Sequence, residues 1–128
     1  MSRYLLDTHA FLWLATDDEK LSPNVRALFA DARQELMLST ASIWEMAIKA
    51  SLGKLTLGTT LAQLVQGGRD RGIRLLALEA DHGYRVEHLP FHHRDPFDRI
   101  LIAQALHEGI PIVSRDESLD PYSVQRVW

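Results

Sequence analysis

Residues 95–119 read DPFDRILIAQALHEGIPIVSRDESL, and the reading of this stretch decides the fold. Asp95-Pro96 has the form of a helix start. The acid serves as a cap, and proline at the first helical position lacks only an N–H that would have had no partner there. A strongly apolar helix is expected from there through His107. Gly109 is placed to end it, since glycine tolerates the left-handed conformation that closes many helices. Residues 110–113, Ile-Pro-Ile-Val, then read as a short apolar strand. Ser114-Arg115-Asp116 follows where that strand runs out.

The same grammar extends upstream. Residues 3–6 form a short apolar strand ending at Asp7, and a helix is expected over 9–15. Ser22-Pro23 is a second cap with proline after it, followed by Val25, Leu28, Phe29 and Ala32 at helical spacing. Residues 36–38 are a second strand. Ser39 to Ser42 leads into a helix with Ile43, Trp44, Ala47 and Ile48 as its apolar positions and Gly53 as its stop. A helix over 60–66 is expected to end at Gly67-Gly68. A third strand spans 73–78, a helix 79–88, and a short fifth strand 123–127. Strands alternating with helices define an α/β protein: three α/β/α layers around a central parallel sheet of four to five short strands. There is no internal repeat or linker, so residues 1–128 are read as one domain. Only 67–72 and 88–94 are expected to be loose.

Bulk properties narrow the function. Hydrophobic residues are 46% and charged residues 24% of the 128, ordinary values for a globular protein. No apolar run is long enough to span a bilayer, and no secretory pattern opens the chain, so no membrane role is expected. Cysteine is absent. That excludes disulfides and thiolate metal sites, and it fits a cytoplasmic protein. The net charge of -3 gives no basic footprint. A nucleic-acid partner would have to be attracted by a local patch or by bound metal.

Four acids stand at junctions between elements: Asp7, Glu45, Asp98 and Asp116. Ligands of open α/β sheets bind just beyond the carboxyl ends of the strands. Acids that follow different strands therefore converge on one crevice, where they repel each other unless a cation lies between them. Each acid also has a purely structural reading. Asp7 caps the next helix, Ser42-x-x-Glu45 and Ser114-x-x-Glu117 resemble capping boxes, and Asp95 and Asp98 suit a helix N-terminus. Ser, Thr or Asn would cap as well, so carboxylates in all these slots together favour a hard-metal site for Mg²⁺, with phosphate-ester chemistry. Glu45 lies off its helix's apolar stripe and is expected to face the crevice. Lys49, four residues on, either pairs with it or contacts phosphate.

Thr8 and Ser114 border strand ends and are candidates for the outer shell or for substrate contact, as is Asp95. Arg94, Arg99 and Arg115 sit beside the acids and either pair with them or bind substrate phosphate. His88, His92 and His93 form the one histidine cluster. The adjacent pair diverges and no second cluster completes a tetrahedral set, so zinc is not expected. An aspartyl phosphotransferase usually places a second acid two residues after its nucleophile, and position 9 here is His9. Trp13, Trp44, Phe11 and Phe97 are read as core or interface residues.

The motifs LLDTHAFLW, SIWEMAIK, DPFDRILIAQA and IVSRDESL, in this order and over nearly the whole chain, resemble the PIN-domain ribonucleases. More narrowly they resemble the VapC-type toxins of bacterial toxin–antitoxin pairs. The resemblance implies an RNA substrate cleaved with Mg²⁺ or Mn²⁺ held by Asp7, Glu45, Asp98 and Asp116, with Asp95 as an outer or alternative ligand. It further implies a homodimer and a small antitoxin whose tail enters the acidic groove. Ser114 stands where that family frequently has threonine.

Overall fold

The computed structural model describes residues 2–128. Its strands are β1 (Ser2–Leu6), β2 (Gln34–Ser39), β3 (Arg74–Leu76), β4 (Ile112–Val113) and β5 (Arg126–Val127). All neighbouring pairs are parallel, in the order β3-β2-β1-β4-β5. The helices are α1 (Thr8–Ala15), α2 (Pro23–Ala30), α3 (Thr40–Ser51), α4 (Leu61–Asp70), α5 (Ala80–Val86) and α6 (Pro96–Glu108), and a 3-10 turn covers Glu117–Leu119.

Successive side chains of a strand point to opposite faces, and this sorts the core into two halves. Leu5 is in register with Met37 and Ile112, while Leu6 is in register with Leu38 and Val113. The Leu5 row packs with Leu101, Ile102 and Ala105 of α6 and with Leu119 and Tyr122. The Leu6 row packs with Phe11, Val25, Met46 and Val65, one from each of α1 to α4. Helices therefore cover both faces, as the alternation of elements predicts. α6 is buried beyond its sheet-facing stripe: Gln104, to one side of that stripe, is fully buried against His82 of α5. No helix among the described residues is long and apolar enough to cross a membrane.

Two expectations about the connections are corrected. Gly67-Gly68 does not end α4, which continues to Asp70. A Cβ on Gly68 would lie 2.9 Å from Phe11 Cε1, so glycine there permits close packing of α4 on α1. The chain turns instead at Gly72, where φ is +101°. The 88–94 segment is also not loose. Arg99 Nη1 donates to the Pro90 carbonyl (2.8 Å) and Nη2 to that of Leu89 (3.0 Å), while the His92 and His93 amides donate to Tyr122 Oη at 3.1 and 2.9 Å. Three strands are shorter than expected: β3 keeps three residues and β4 and β5 two each.

Candidate active site at the carboxyl edge of the sheet

β1 ends at Leu6 and α1 begins at Thr8, so Asp7 alone makes the turn. Its amide donates to Val113 O at 3.0 Å, extending the β1–β4 ladder by one bond. Its Oδ1 accepts from the Ala10 amide at 2.8 Å, which caps α1. Helix α3 starts earlier than the sequence suggested, with Ser39 as its cap through a 3.0 Å bond from Ala41 N. The Ser42–Glu45 capping box therefore does not form, because both residues already lie inside the helix. Thr8 Oγ1 instead lies 2.6 Å from Glu45 Oε1 and 3.0 Å from Ser42 Oγ. A carboxylate only accepts, so the Thr8 hydroxyl donates to Glu45 and accepts from Ser42. Lys49 Nζ closes on Glu45 Oε2 at 2.5 Å, the i,i+4 pair of the two alternatives. Glu45 is thus buried, only 4% exposed. Its helix position left it outside the apolar stripe, and α1 then closes over it through Thr8.

Asp98 comes from the other side of the crevice, in the first turn of α6, behind the Asp95 cap (Phe97 N to Asp95 Oδ1, 2.8 Å). Asp116 follows β4. It caps the 3-10 turn through a 2.9 Å bond from Ser118 N, and its own amide donates to Ser114 Oγ at 3.0 Å. His93 stands between the two acids. Its Nε2 is 3.2 Å from Asp98 Oδ2 and 3.6 Å from Asp116 Oδ2. His93 Nδ1 accepts from Asp95 N at 3.1 Å, so the ring proton sits on Nε2 and points at both carboxylates.

Crowding shows in the acid strengths. Burial is the main force raising the Asp7 carboxyl, against hydrogen bonds from Ser114 and Ala10, and the charge of Asp116 adds to the rise. Burial, then the charge of Asp95, pushes Asp98 up to about 7. His93 opposes this, and Asp7 and Glu45 reinforce it. Asp98 therefore feels the charges of Asp95, Asp7 and Glu45 together. At Asp116 partial burial acts upward, but the Ser118 bonds and His93 outweigh it and leave the carboxyl below its ordinary range. Lys49 is held protonated more firmly, chiefly by its bond to Glu45.

Sequence reasoning missed His93 as a member of this site, having weighed it only as a zinc ligand. The available signal was local: a histidine two residues before a helix-capping acid can accept that acid's amide and aim its other nitrogen at the first turn. The histidines do diverge, with His92 packed on Tyr122 and His88 paired with Glu87. Arg99 is corrected in the opposite sense. It is 5% exposed, and its guanidinium is spent on the 89–90 carbonyls and Tyr122 Oη. It therefore faces away from the acids and offers no phosphate contact. Thr8 and Ser114 are both buried, Thr8 against Glu45 and Ser114 under the Asp116 amide.

A parallel sheet whose carboxyl edge gathers acids from β1, α3, α6 and the turn after β4 defines an α/β protein with an acidic crevice at its strand ends. The chain belongs to the PIN domain family, whose profile matches residues 4–124. Solved structures share the fold at low identity. DNA-bound VapBC from Salmonella typhimurium is 15% identical with a TM-score of 0.75, covering 99% of this chain and 98% of that one. VapBC2 from Rickettsia felis, bound to a promoter fragment, is 11% identical with a TM-score of 0.70, covering 98% and 97%. VapC20 from Mycobacterium tuberculosis, described as a Sarcin-Ricin loop cleaving toxin, is 14% identical with a TM-score of 0.62, covering 92% and 93%. No curated protein matches the chain.

Proposed function

We propose that this chain is a metal-dependent endoribonuclease, the toxin of a toxin–antitoxin pair. The observation that carries the reading is the gathering of Asp7, Glu45, Asp98 and Asp116 around one crevice, with Asp98 pushed up to about 7 by burial and by its acidic neighbours. The donor set fits a hard cation. It is rich in carboxylate oxygen and lacks thiolate, and Asp98 and Asp116 have carboxylate oxygens within 4.8 Å of one another. Asp7 and Asp98 would hold Mg²⁺ or Mn²⁺ directly, with Glu45 as ligand or water orienter and Asp116 direct or through water. A bound ion would supply neutralisation of charge developing on the phosphate and easier deprotonation of an attacking water.

The protein's own residues prepare that site. Asp7 and Asp116 each commit Oδ1 to a backbone amide, which leaves the second oxygen of each for the crevice. Thr8 and Lys49 hold the two oxygens of Glu45, which fixes the carboxylate in direction. Asp95 and Ser114 act from the outer shell through the backbone contacts already described. The kinship in fold to VapBC complexes and to a toxin that cleaves the Sarcin-Ricin loop supports an RNA substrate and a protein antitoxin. A homodimer accords with the exposed Trp44.

Pooled RNA incubated with Mg²⁺, then with EDTA, tests the reading with wild type and Asp7→Asn side by side. Fragments that depend on both the metal and Asp7 are expected. Intact RNA under all conditions would overturn the activity, and cleavage of DNA alone would reassign the substrate.

A further inference from the structure

Beside the carboxylates lies a cleft of about 480 Å³ lined by Asp7, His9, Trp13, Arg115, Asp116 and Glu117. Its volume falls in the range of small-ligand sites. Two of its walls, His9 and Trp13, come from α1 and not from the acids. His9 and Trp13 are four residues apart on α1 and so share one helix face, with ring centroids 5.7 Å apart and planes inclined by 35°. Arg115, from the turn after β4, places its guanidinium carbon 4.7 Å from the Trp13 ring.

The state of Arg115 is the informative observation. It is exposed and is followed directly by Asp116 and Glu117. Yet among the described residues it makes no ion pair, and none of its N–H groups donates a hydrogen bond within the chain. Asp116 turns instead to His93 and Ser118. Trp13 thus fixes the guanidinium by stacking, which uses its face and leaves its five edge donors free. A positioned guanidinium with free donors matches a phosphate, which accepts two parallel N–H bonds. Planar aromatic surface next to it matches a base. On a chain of net charge -3, this cation lies at the rim of the acidic crevice, where an anionic polymer most needs one.

We propose that Arg115, Trp13 and His9 form a subsite for one unpaired nucleotide of the RNA, adjacent to the scissile phosphate. Arg115 holds the flanking phosphate, and the α1 rings pack its base. A base in a duplex has both faces covered, so the subsite selects single-stranded or looped segments. This rests on the nuclease reading for the identity of the polymer.

The test measures binding and cleavage of one probe, a fluorescein-labelled single-stranded RNA of mixed sequence. Anisotropy in Ca²⁺ gives Kd and its salt dependence, and cleavage in Mg²⁺ gives kcat and KM. Arg115→Ala is expected to weaken binding about 10-fold and to flatten the log–log salt slope by about 0.7, the loss of one phosphate contact on a single strand. In cleavage its loss should fall on KM rather than kcat. Trp13→Ala should weaken binding about 5-fold or more, with Trp13→Phe restoring most of it. Trp13→Phe and Arg115→Ala keep the test decisive if Trp13→Ala fails to fold. Unchanged Kd, salt slope and KM in Arg115→Ala, with wild type cleaving normally, would overturn the subsite and leave the nuclease standing. Binding that depends on Arg115 without any cleavage would support the subsite and overturn the nuclease.

Discussion

Replacing Asp98 by asparagine is expected to destroy cleavage and yet raise the melting temperature of the metal-free protein. Burial and neighbouring acids lift this carboxyl from 3.8 to about 7. At 1.36 kcal/mol per pKa unit this caps the destabilisation by the ionised group at about 4 kcal/mol. The side chain is 27% exposed, and solvent screening brings the figure to about 2 kcal/mol. Asparagine also forfeits a favourable charge at the start of α6, worth about 0.5 kcal/mol. The net gain of about 1.5 kcal/mol corresponds to roughly 5 °C for a chain of this size. The pH dependence identifies the cause. Because the folded state holds the proton more tightly than the unfolded chain, folding takes up a proton between about pH 4 and 7, and wild-type stability falls across that window. The difference between variant and wild type should therefore be small near pH 4, grow to pH 7 and stay level above it. Scanning calorimetry in EDTA at pH 4.5, 6 and 8 measures it, and Mg²⁺ at pH 8 should then stabilise wild type far more than the variant. A variant that melts lower than wild type at pH 8, or a difference that ignores pH, would refute the electrostatic account and leave Asp98 as a helix-start residue only.

Three further outcomes follow from other contacts. His93→Leu removes the N–H that lies between Asp98 and Asp116 and should lower metal-free stability at pH 8 by about 1–2 kcal/mol in urea unfolding, with His93→Gln recovering part of it. Thr8→Val leaves Glu45 Oε1 buried without its hydroxyl donor and should lose about 1.5–3 kcal/mol by the same assay, together with cleavage rate, whereas an unchanged midpoint would show that Glu45 is held by Lys49 alone. Gly68→Val drives side-chain carbon into Phe11 and should cost about 1–3 kcal/mol in thermal unfolding despite the removal of a helical glycine, and a stabilised variant would show that α4 is free to shift on α1.

The sheet and its order of elements were legible because the information is local: apolar runs, proline after a cap, glycine after α6. Asp7, Asp98 and Asp116 were legible as acids placed where the chain enters a helix or turn, whereas Glu45 lies inside α3. What escaped depends on which residues meet across long separations. Glu45 was expected to face the crevice, but its burial under Thr8 could not be read, because its own helix pattern is silent about a residue thirty-seven positions earlier. Arg99 looked like a phosphate ligand from its proximity to Asp98, although one residue along a helix turns a side chain by about 100° and carries it to the Tyr122 side. Gly67-Gly68 read as a helix end because sequence shows the glycines and not the Phe11 ring that needs the space.

The parallel topology sets an order for assembly as well as for architecture. Asp7 follows the first strand and Asp116 the fourth, yet these strands lie side by side, with Asp7 N bonded to Val113 O. During synthesis the crevice has no existence until the segment beyond residue 112 has emerged and slid in beside β1. A growing chain that has not yet reached β4 carries Asp7 and Glu45 without Asp116. The full set of acids therefore exists only after the first and fourth strands have met, so the chemistry proposed for the crevice depends on completion of the sheet and not on any one segment.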